Sequence, residues 1–467
     1  MNPSPLTLRA PRQAPKPARP DPSPPVADEA PAAAFVAPPT APQTLAETGL
    51  SLAFASDLVL KLLFMRGASL GLEIARQLCL PFKVVEEALS FLKDEKCTEV
   101  SAGEMIGRVS YRFGLTDLGR GRARDALDQC QYLGPAPVPL DDYIRQTGRQ
   151  LVSRVPCTSE KLKRAFQHLV ISDTMFEELG PAVCSGRSVF IFGPPGNGKT
   201  AIARGLGEFL NREGGEIYVP YAFLAENSII TVFDPTVHQP TDQVEETPPL
   251  VSADAIRRLL MDDAIDLRWR RVRRPVVVTG GELTLEMLDL RYNVSANFYQ
   301  APLHIKANCG VFLIDDFGRQ IVSPRDLLNR WILPLEERHD FLTLATGKKF
   351  SVPFEQLIIF STNLEPRSLV DDAFLRRMRH KIRVETPTRG DFVDIFQLVC
   401  RKMGFEYHHD AVDYLYESFY DKGRTPRASD SRDLLEIVDA MCRYTGQRPV
   451  LDRQMIGEAA KRFFGQL

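Results

Sequence analysis

The strongest constraint on the fold of this chain is a stretch of eight residues rich in glycine and proline: Gly193, Pro194, Pro195, Gly196, Asn197, Gly198, Lys199 and Thr200. It matches the pattern G-x-x-x-x-G-K-[ST], in which backbone N–H groups surround phosphates, the lysine reaches the outer phosphates and the hydroxyl helps to hold Mg²⁺. Residues 188–192 before it are an apolar run typical of a buried strand, and apolar residues recur at helical spacing over 201–210. The sequence therefore predicts a strand, a phosphate-binding loop and a helix whose N-terminus adds further N–H donors.

Composition limits the class of protein. The chain has 467 residues, a formal net charge of −2 and a pI near 6.4. This length predicts two or three domains, and the charge lacks the global basic excess of many nucleic-acid-binding proteins. The eight cysteines are scattered without a C-x-x-C pair, which predicts reduced thiols and a cytoplasmic location. Without a long uninterrupted apolar run we expect no membrane insertion.

The N-terminal segment, residues 1–48, is predicted to be a disordered tail rich in proline and alanine. It holds 13 of the 35 prolines and almost no large apolar side chains, so it cannot bury enough apolar surface to fold. Two roles stay open for this tail: a partner-binding segment with polyproline II character, and a solvated spacer.

Residues 49–133 have the pattern of a winged helix-turn-helix domain, with three predicted helices followed by short alternating strands. Such domains often read DNA. However, the helix predicted over 82–96 carries more acidic than basic residues, whereas a helix facing phosphates should be basic. A basic cluster occurs only at the wing and the next helix, in Arg108, Arg112, Arg120, Arg122 and Arg124. A protein-interaction or packing role is favoured, and DNA binding stays open.

A proline-rich linker is predicted over 134–159, followed by a nucleotide-binding domain over 160–387. Such a domain needs a carboxylate for Mg²⁺, and the apolar run 311–316 ends in Asp315 and Asp316. In this arrangement the first acid serves the metal and the second polarises the attacking water. A buried strand that ends in a capping Asp pair is the alternative interpretation.

Another apolar run, residues 357–362, leads to Asn363, whose side chain can reach the γ-phosphate or the water. The segment 371–379 follows and contains Arg376 and Arg377. Together these motifs resemble the AAA+ ATPase superfamily, with Walker A at the glycine-rich loop, Walker B at the acidic pair, sensor 1 at the asparagine and the arginine finger in the arginine pair.

The resemblance covers about residues 160–467. It implies an α/β P-loop NTPase fold with a parallel-sheet core and a C-terminal helical lid over 388–467, and it implies ATP and Mg²⁺ as cofactors. The roles it implies are phosphate and Mg²⁺ binding by Lys199 and Thr200, Mg²⁺ binding by Asp315, direction of water by Asp316 and positioning of water by Asn363.

AAA+ proteins usually work as rings, commonly hexamers. The resemblance therefore implies a homo-oligomeric ring in which Arg376 or Arg377 enters the site of a neighbouring subunit. In the lid, Arg432 resembles the sensor 2 arginine that contacts the nucleotide. An exposed arginine at the start of a helix is the alternative interpretation of Arg432.

Two features depart from the family pattern. Asp316 stands where most AAA+ proteins have Glu, so its carboxylate lies one methylene further from the water. In addition, 116 positions separate Lys199 from Asp315, which implies inserted structure around 217–305.

The sequence of the insertion predicts part of its structure. Residues 217–224 and 229–233 are predicted to pair as a hairpin across 226–228. Residues 268–274 gather five arginines around one tryptophan. These arginines can contact nucleic acid, a neighbouring subunit's nucleotide, or the preceding acids Asp262, Asp263 and Asp266, and an exposed paired strand is the further alternative.

The function predicted from these motifs is Mg²⁺-dependent ATP hydrolysis used to remodel or assemble a protein partner, not identified by the sequence, that the N-terminal domain recruits. The run before Asp315 is also similar to that of the MoxR-like and helix-2-insert branches, which favours chaperone-like activity. Two alternatives stay open: an ATP-gated DNA-binding regulator or initiator, and a nucleotide-dependent scaffold that does not hydrolyse ATP because Asp316 is too short to act.

Overall fold

A computed structural model describes the chain over 36–101, 111–241, 265–369, 372–446 and 450–465. Most of the predicted tail, most of the predicted wing with Arg108, and the acids Asp262 and Asp263 lie outside the described residues.

Helices occur in every one of the described ranges, and none of the helices in these ranges is long and apolar enough to cross a membrane. In chain order they are Leu52–Arg66 (α1), Gly71–Leu78 (α2), Phe82–Asp94 (α3), Asp117–Gln129 (α4), Leu140–Arg149 (α5), Ser159–Ala165 (α6), Asp173–Ser185 (α7), Lys199–Glu213 (α8), Leu303–Lys306 (α9), Pro324–Glu337 (α10), Pro366–Leu369 (α11), Asp372–Leu375 (α12), Arg389–Met403 (α13), His409–Leu415 (α14), Ala428–Thr445 (α15) and Arg453–Phe464 (α16).

The strands of the described residues are short. In chain order they are Ser69–Leu70 (β1), Thr98–Ser101 (β2), Arg112–Leu115 (β3), Val138–Pro139 (β4), Val189–Phe192 (β5), Glu216–Pro220 (β6), Ala222–Ala225 (β7), Ser228–Thr231 (β8), Trp269–Arg273 (β9), Val276–Thr279 (β10), Arg291–Asn293 (β11), Phe298–Gln300 (β12), Val311–Ile314 (β13), His339–Thr343 (β14), Lys349–Pro353 (β15), Leu357–Thr362 (β16) and His380–Arg383 (β17).

The core of the fold is a parallel sheet with the strand order β10-β13-β16-β5-β17. Its central strands are runs of Val, Ile, Leu and Phe because helices cover both faces, and β13 and β16 are buried at every position. On one face α8 contributes Leu206 and Phe209 to the core, and on the other α10 contributes the fully buried Trp331. The predicted α/β class with a parallel-sheet core is confirmed.

Four strands of the insertion and β4, which precedes it in the chain, form a second sheet, which we call the accessory sheet, with the order β11-β12-β8-β7-β4. Its hairpin differs from the predicted one. β7 pairs with β8 across Glu226 and Asn227, both of which have positive φ, as two-residue hairpin turns require. β6, predicted to belong to the hairpin, pairs instead with β9. β10, which also lies within 217–305, joins the core sheet rather than the accessory sheet.

The N-terminal module, residues 52–129, consists of α1, α2 and α3, an antiparallel sheet with the order β1-β3-β2, and α4. Its apolar core extends into the accessory sheet through Ala222 and Ile229. Asn297 Nδ2 donates to Asp128 O of α4 at 3.0 Å, and just beyond the module Gln131 N donates to Ala296 O at 2.8 Å. The module is therefore packed on the accessory sheet.

Two segments predicted to lack structure contribute to this packing. From the end of the predicted tail, Val36, Ala41 and Leu45 are buried. The predicted linker contains β4, which pairs with β7, and α5, whose Tyr143 stacks on Phe223 with ring centroids 5.0 Å apart. These apolar side chains are few, but they order the two segments because they become buried against the accessory sheet.

The C-terminal residues from α13 to α16 form a helical subdomain with its own apolar core. Phe392 and Phe396 of α13, Leu434 of α15 and Ile456 of α16 are all fully buried in it. This subdomain occupies the position in the chain predicted for the lid.

The five arginines of residues 268–274 divide between the interior and the surface: Arg268 and Arg274 are buried, Arg270 is half-buried, and Arg271 and Arg273 are exposed. Arg268 is buried and forms an ion pair with Asp266 at 2.8 Å, which is one of the contacts expected from the sequence. Arg274 is also buried, and its guanidinium donates to three carbonyl oxygens: Gly214 at 2.7 Å, Gln150 at 2.8 Å and Cys309 at 2.6 Å.

Two of the carbonyls bound by Arg274 follow the last residues of α5 and α8, where the helix dipole is negative. The third belongs to Cys309, which lies in the turn two residues before β13. Burial lowers the pKa of Arg274 to about 10, so the guanidinium still carries its charge at neutral pH. Arg274 therefore connects the C-terminal ends of α5 and α8 to the turn that precedes β13.

We expect Arg274→Ala to lower the free energy of unfolding by about 3 kcal/mol or more, because it leaves three buried carbonyl oxygens without a donor. The control is Arg273→Ala at the neighbouring exposed position, which should cost less than about 0.5 kcal/mol. Denaturant unfolding followed by circular dichroism measures both. Equal midpoints for the two variants would contradict a structural role for the buried guanidinium.

Candidate nucleotide-binding site

The phosphate loop, residues 193–198, connects the end of β5 to the start of α8. Gly193, Gly196 and Gly198 have φ values of 139°, 82° and 85°, a region that residues with a Cβ rarely adopt. A side chain at Gly193 would also collide with the carbonyl oxygen of Val384. The glycines thus allow a tight turn that brings backbone N–H groups together at the N-terminus of a long helix, which is a site for anions.

Lys199 and Thr200 are the first residues of α8. Lys199 is buried, and its Nζ donates to the carbonyl oxygen of Pro194 at 2.7 Å. Burial lowers the pKa of this ammonium, while the charges of Asp316 and Asp315 oppose the shift. Thr200 Oγ1 donates to Asp315 Oδ1 at 2.9 Å. This last bond joins the phosphate loop directly to the acidic strand.

Asp315 and Asp316 follow the end of β13. The chain turns sharply here, since Asp316 has a φ of 50°, a conformation that costs a non-glycine residue about 1 kcal/mol or more. Asn363 Nδ2 donates to Asp316 Oδ1 at 3.3 Å. Two hydrogen bonds brace this turn against the neighbouring strand: Phe317 N donates to Ser361 O at 2.7 Å, and Thr362 Oγ1 donates to Phe317 O at 2.7 Å.

The strand order explains why these groups meet. β16 lies between β13 and β5, and all three run in the same direction. Their carboxyl ends therefore reach one edge of the sheet, where crevices of open α/β sheets bind ligands. The residues that the sequence predicted for phosphate, metal and water contacts, which are distant along the chain, are brought together at this edge.

The oxygen atoms at this edge suit Mg²⁺. This ion prefers oxygen ligands and is commonly held by one or two carboxylates together with substrate phosphates and water. The Thr200 hydroxyl and the Asp315 carboxylate are within hydrogen-bond distance of each other beside the loop, so both are placed to share one cation with a bound phosphate.

The lid subdomain contacts the phosphate loop through the start of α15. Ser429 N donates to Gly196 O at 2.8 Å, and Ala428 N donates to Asn197 Oδ1 at 3.2 Å. The side chain of Arg427 also passes over the loop, because a Cβ built on Gly196 would lie 3.2 Å from Arg427 Cδ. Arg427 matches none of the motifs recognised in the sequence, although it directly precedes the residues that contact the loop.

Arg432, the lid arginine singled out from the sequence, is placed differently. Its side chain is 65% exposed and pairs with Asp433 and Glu436 on its own helix. It makes no contact with the phosphate loop among those described. The exposed arginine near a helix start, which was the alternative interpretation, matches this placement.

Arg376 and Arg377 lie at the opposite edge of the core sheet. They precede β17, whose first residue His380 pairs with Val189, the first residue of β5. Ser188 Oγ donates to the carbonyl oxygen of Arg377 at 3.4 Å. The length of β5, roughly 13 Å at about 3.3 Å per residue, separates this edge from the phosphate loop. Arg376 is exposed, and Arg377 Nε lies 2.7 Å from Glu336 Oε1.

Comparison with known proteins gives one family match and several distant structural similarities. A family described as "Domain of unknown function (DUF8689)" matches residues 388–462, in the lid subdomain. No curated protein matches the chain.

Among solved structures, the chain is similar to NtrX from Brucella abortus in complex with ADP, at 16% identity and a TM-score of 0.38, over 64% of this chain and 58% of that chain. It is also similar to a RuvB mutant from Thermotoga maritima, at 11% identity and a TM-score of 0.33, over 68% of this chain and 72% of that chain. Domain III of the replication initiation protein DnaA from Thermotoga maritima gives 14% identity and a TM-score of 0.35, over 66% of this chain and 98% of that chain. The chain thus spans less than two thirds of the NtrX chain, and these low scores do not assign a family.

Proposed function

We propose that this protein is a Mg²⁺-dependent ATPase of the AAA+ type. The observation that carries the proposal is the pair of hydrogen bonds at one sheet edge, Thr200 to Asp315 and Asn363 to Asp316. These bonds bring together three of the four motifs on which the resemblance to AAA+ proteins rests; the arginine pair is the fourth.

Each residue has a distinct role in the proposed hydrolysis of the β,γ-phosphoanhydride. The N–H groups of the loop and Lys199 neutralise charge on the phosphate oxygens. Thr200 and Asp315 hold Mg²⁺, which supplies Lewis-acid stabilisation of the phosphoryl oxygens. The Asp316 carboxylate accepts a hydrogen bond from the attacking water and orients it, and Asn363 fixes the position of that carboxylate.

We propose that the arginine pair acts on another copy of the chain. Arg376 and Arg377 are a strand length away from the chain's own phosphate loop, so a guanidinium from this edge can complete a nucleotide site only on a neighbouring subunit. This arrangement favours a homo-oligomer with shared sites, and a hexameric ring is the form that the family resemblance suggests.

For the biological role, we propose ATP-driven remodelling or assembly of a protein partner, chaperone-like in character, recruited by the N-terminal module. Residues 49–133, with the pattern of a winged helix, hold equal numbers of acidic and basic residues, 11 of each. Several arginines of its basic cluster also have contacts within the chain: Arg120 with Asp117, Arg122 with Glu95, and Arg124 over the ring of Phe64. Both observations favour a protein partner over DNA. The eight free cysteines favour a reducing, cytoplasmic location.

We expect Asp316→Asn to lower kcat for ATP hydrolysis by at least about 100-fold while the Kd for ATP changes by less than about threefold, because the amide no longer orients water but the phosphate contacts remain. Lys199→Ala should instead weaken ATP binding. The control is Asp394→Asn at an exposed position of α13, which should leave both constants unchanged. Steady-state phosphate release and equilibrium binding measure them.

The same assay separates the alternatives. A wild-type protein that binds ATP tightly without measurable turnover would favour the non-hydrolysing scaffold. Turnover stimulated by duplex DNA in a salt-sensitive way, and lost when Arg112 and Arg120 are replaced, would favour the DNA-binding regulator.

We expect a mixture of two inactive variants to recover ATPase activity. Arg376→Ala or Arg377→Ala, whichever removes the finger, should lower activity at least about 100-fold. Lys199→Ala has a defective site but intact arginines, so mixing it with the finger variant should restore part of the activity. A mixture of Lys199→Ala with Asp316→Asn serves as the control, because neither protein brings a competent site. Absence of recovery in assembled mixtures would exclude shared sites.

We expect Arg427, rather than Arg432, to be the lid arginine that contacts the nucleotide. Arg427→Ala should weaken ATP binding about tenfold, as expected for loss of a hydrogen bond to a charged group. Arg432→Ala should change the Kd by less than about twofold, because its ion pairs are on its own helix. Titration with a fluorescent ATP analogue measures both, and the reverse order of effects would return the role to Arg432.

A further inference from the structure

The contact between the phosphate loop and the start of α15 has a feature that nucleotide binding alone does not require. The backbone N–H groups of Ala428 and Ser429, the first two residues of α15, have no acceptor within the helix, as is true at every helix start. Both groups donate hydrogen bonds to the phosphate loop: Ala428 N to Asn197 Oδ1 and Ser429 N to Gly196 O. The loop thus serves as the N-terminal cap of the lid helix.

Of the two acceptors, Gly196 O is a backbone atom and Asn197 Oδ1 belongs to a side chain, which is buried. Asn197 is 7% exposed, and its Nδ2 is buried without a hydrogen-bond partner in the described part of the chain. An unsatisfied buried donor costs about 1 to 3 kcal/mol. Because the carboxamide is planar, the bond to Ala428 that holds Oδ1 also fixes the direction of Nδ2. An acceptor arriving beside the loop would therefore strengthen both interactions of the group.

We propose that Asn197 is a positioning residue that latches the lid helix α15 to the phosphate loop. Its carbonyl oxygen binds the Ala428 N–H, and its amide nitrogen donates to an oxygen of the bound nucleotide, so that the nucleotide tightens the latch and the lid must release Asn197 before the nucleotide leaves. This inference rests on the proposed nucleotide binding for its second half only, since the contact with Ala428 exists in the protein alone.

A single substitution in α15 can remove the hydrogen bond between Ala428 and Asn197 without changing Asn197. Ala428 is the first residue of α15, the position where proline is best tolerated in a helix because the N–H there has no helical acceptor. The preceding Arg427 has φ −121° and ψ 146°, which suits a residue before proline. Ala428→Pro thus removes the N–H that binds Asn197 and keeps the helix. Arg453→Pro, at the first residue of α16 after Asp452 with φ −101° and ψ 172°, is the matched control.

The experiment is a double-mutant cycle on the dissociation rate of a fluorescent ADP analogue from the full-length protein. We expect Ala428→Pro to raise this rate about fivefold, the effect of one hydrogen bond of ordinary strength. Asn197→Ala should raise it at least as much, because it also removes the proposed bond to the nucleotide. The double variant should dissociate no faster than Asn197→Ala alone, because the bond that Ala428→Pro removes is already absent when Asn197 is replaced. Arg453→Pro should dissociate at the wild-type rate. Additive effects, or a rate unchanged in Ala428→Pro, would overturn the latch.

Hydrogen exchange tests the latch without relying on turnover or on nucleotide release. In the nucleotide-free protein, the amides of residues 428–430 should be protected, although the first amides of a helix normally exchange quickly. Protection should fall in Asn197→Ala and rise on ADP addition only when Asn197 is present. If the wild type binds no nucleotide, the proposed function is wrong. Protection of these amides in the nucleotide-free protein would still show whether Asn197 holds the start of α15. Fast exchange in the wild type would refute the latch.

Discussion

The fold depends on one constraint: a buried parallel sheet in which β16 separates β5 from β13. Parallel strands end at the same edge, so this order determines which loops can meet. The hydrogen bond from Thr200 to Asp315 and the bond from Asn363 to Asp316 both follow from it. A sheet with the same strands in another order would have the same local motifs, but it would not bring the phosphate loop, the acidic pair and the asparagine to one place.

The parts outside this sheet are attached to it through buried polar groups as well as apolar contacts. Arg274 binds the carbonyl ends of α5 and α8 and the carbonyl before β13, and Arg268 binds Asp266 and the carbonyl of Thr48. Taking a guanidinium out of water is costly unless its donors are satisfied. Arg268 meets this condition through the N-terminal segment, and Arg274 meets it through the ends of α5 and α8 and the residues before β13, so the burial of each guanidinium depends on contacts between distant parts of the chain.

The two edges of the core sheet have different tasks in the proposed mechanism. At the carboxyl edge, the loop, the acids and the start of α15 form a site that the chain builds for itself. At the opposite edge, the exposed Arg376 is too far from that site to act on it. A protein arranged in this way offers a site on one side and a cation on the other, which is the geometry expected when activity depends on neighbouring copies.

Much of the site was predictable from sequence, because a phosphate loop and a strand ending in acids are local patterns with a local physical cause. Local sequence patterns were enough to predict the strand-loop-helix at Gly193, the α/β class, and the identity of the lysine, threonine, acids and asparagine. Three features emerged only in the folded chain: which residues of the lid reach the loop, the burial of Arg268 and Arg274, and the pairing of β6 with β9. These features depend on contacts between distant segments, where burial and unsatisfied hydrogen bonds select the partner and no local pattern specifies it.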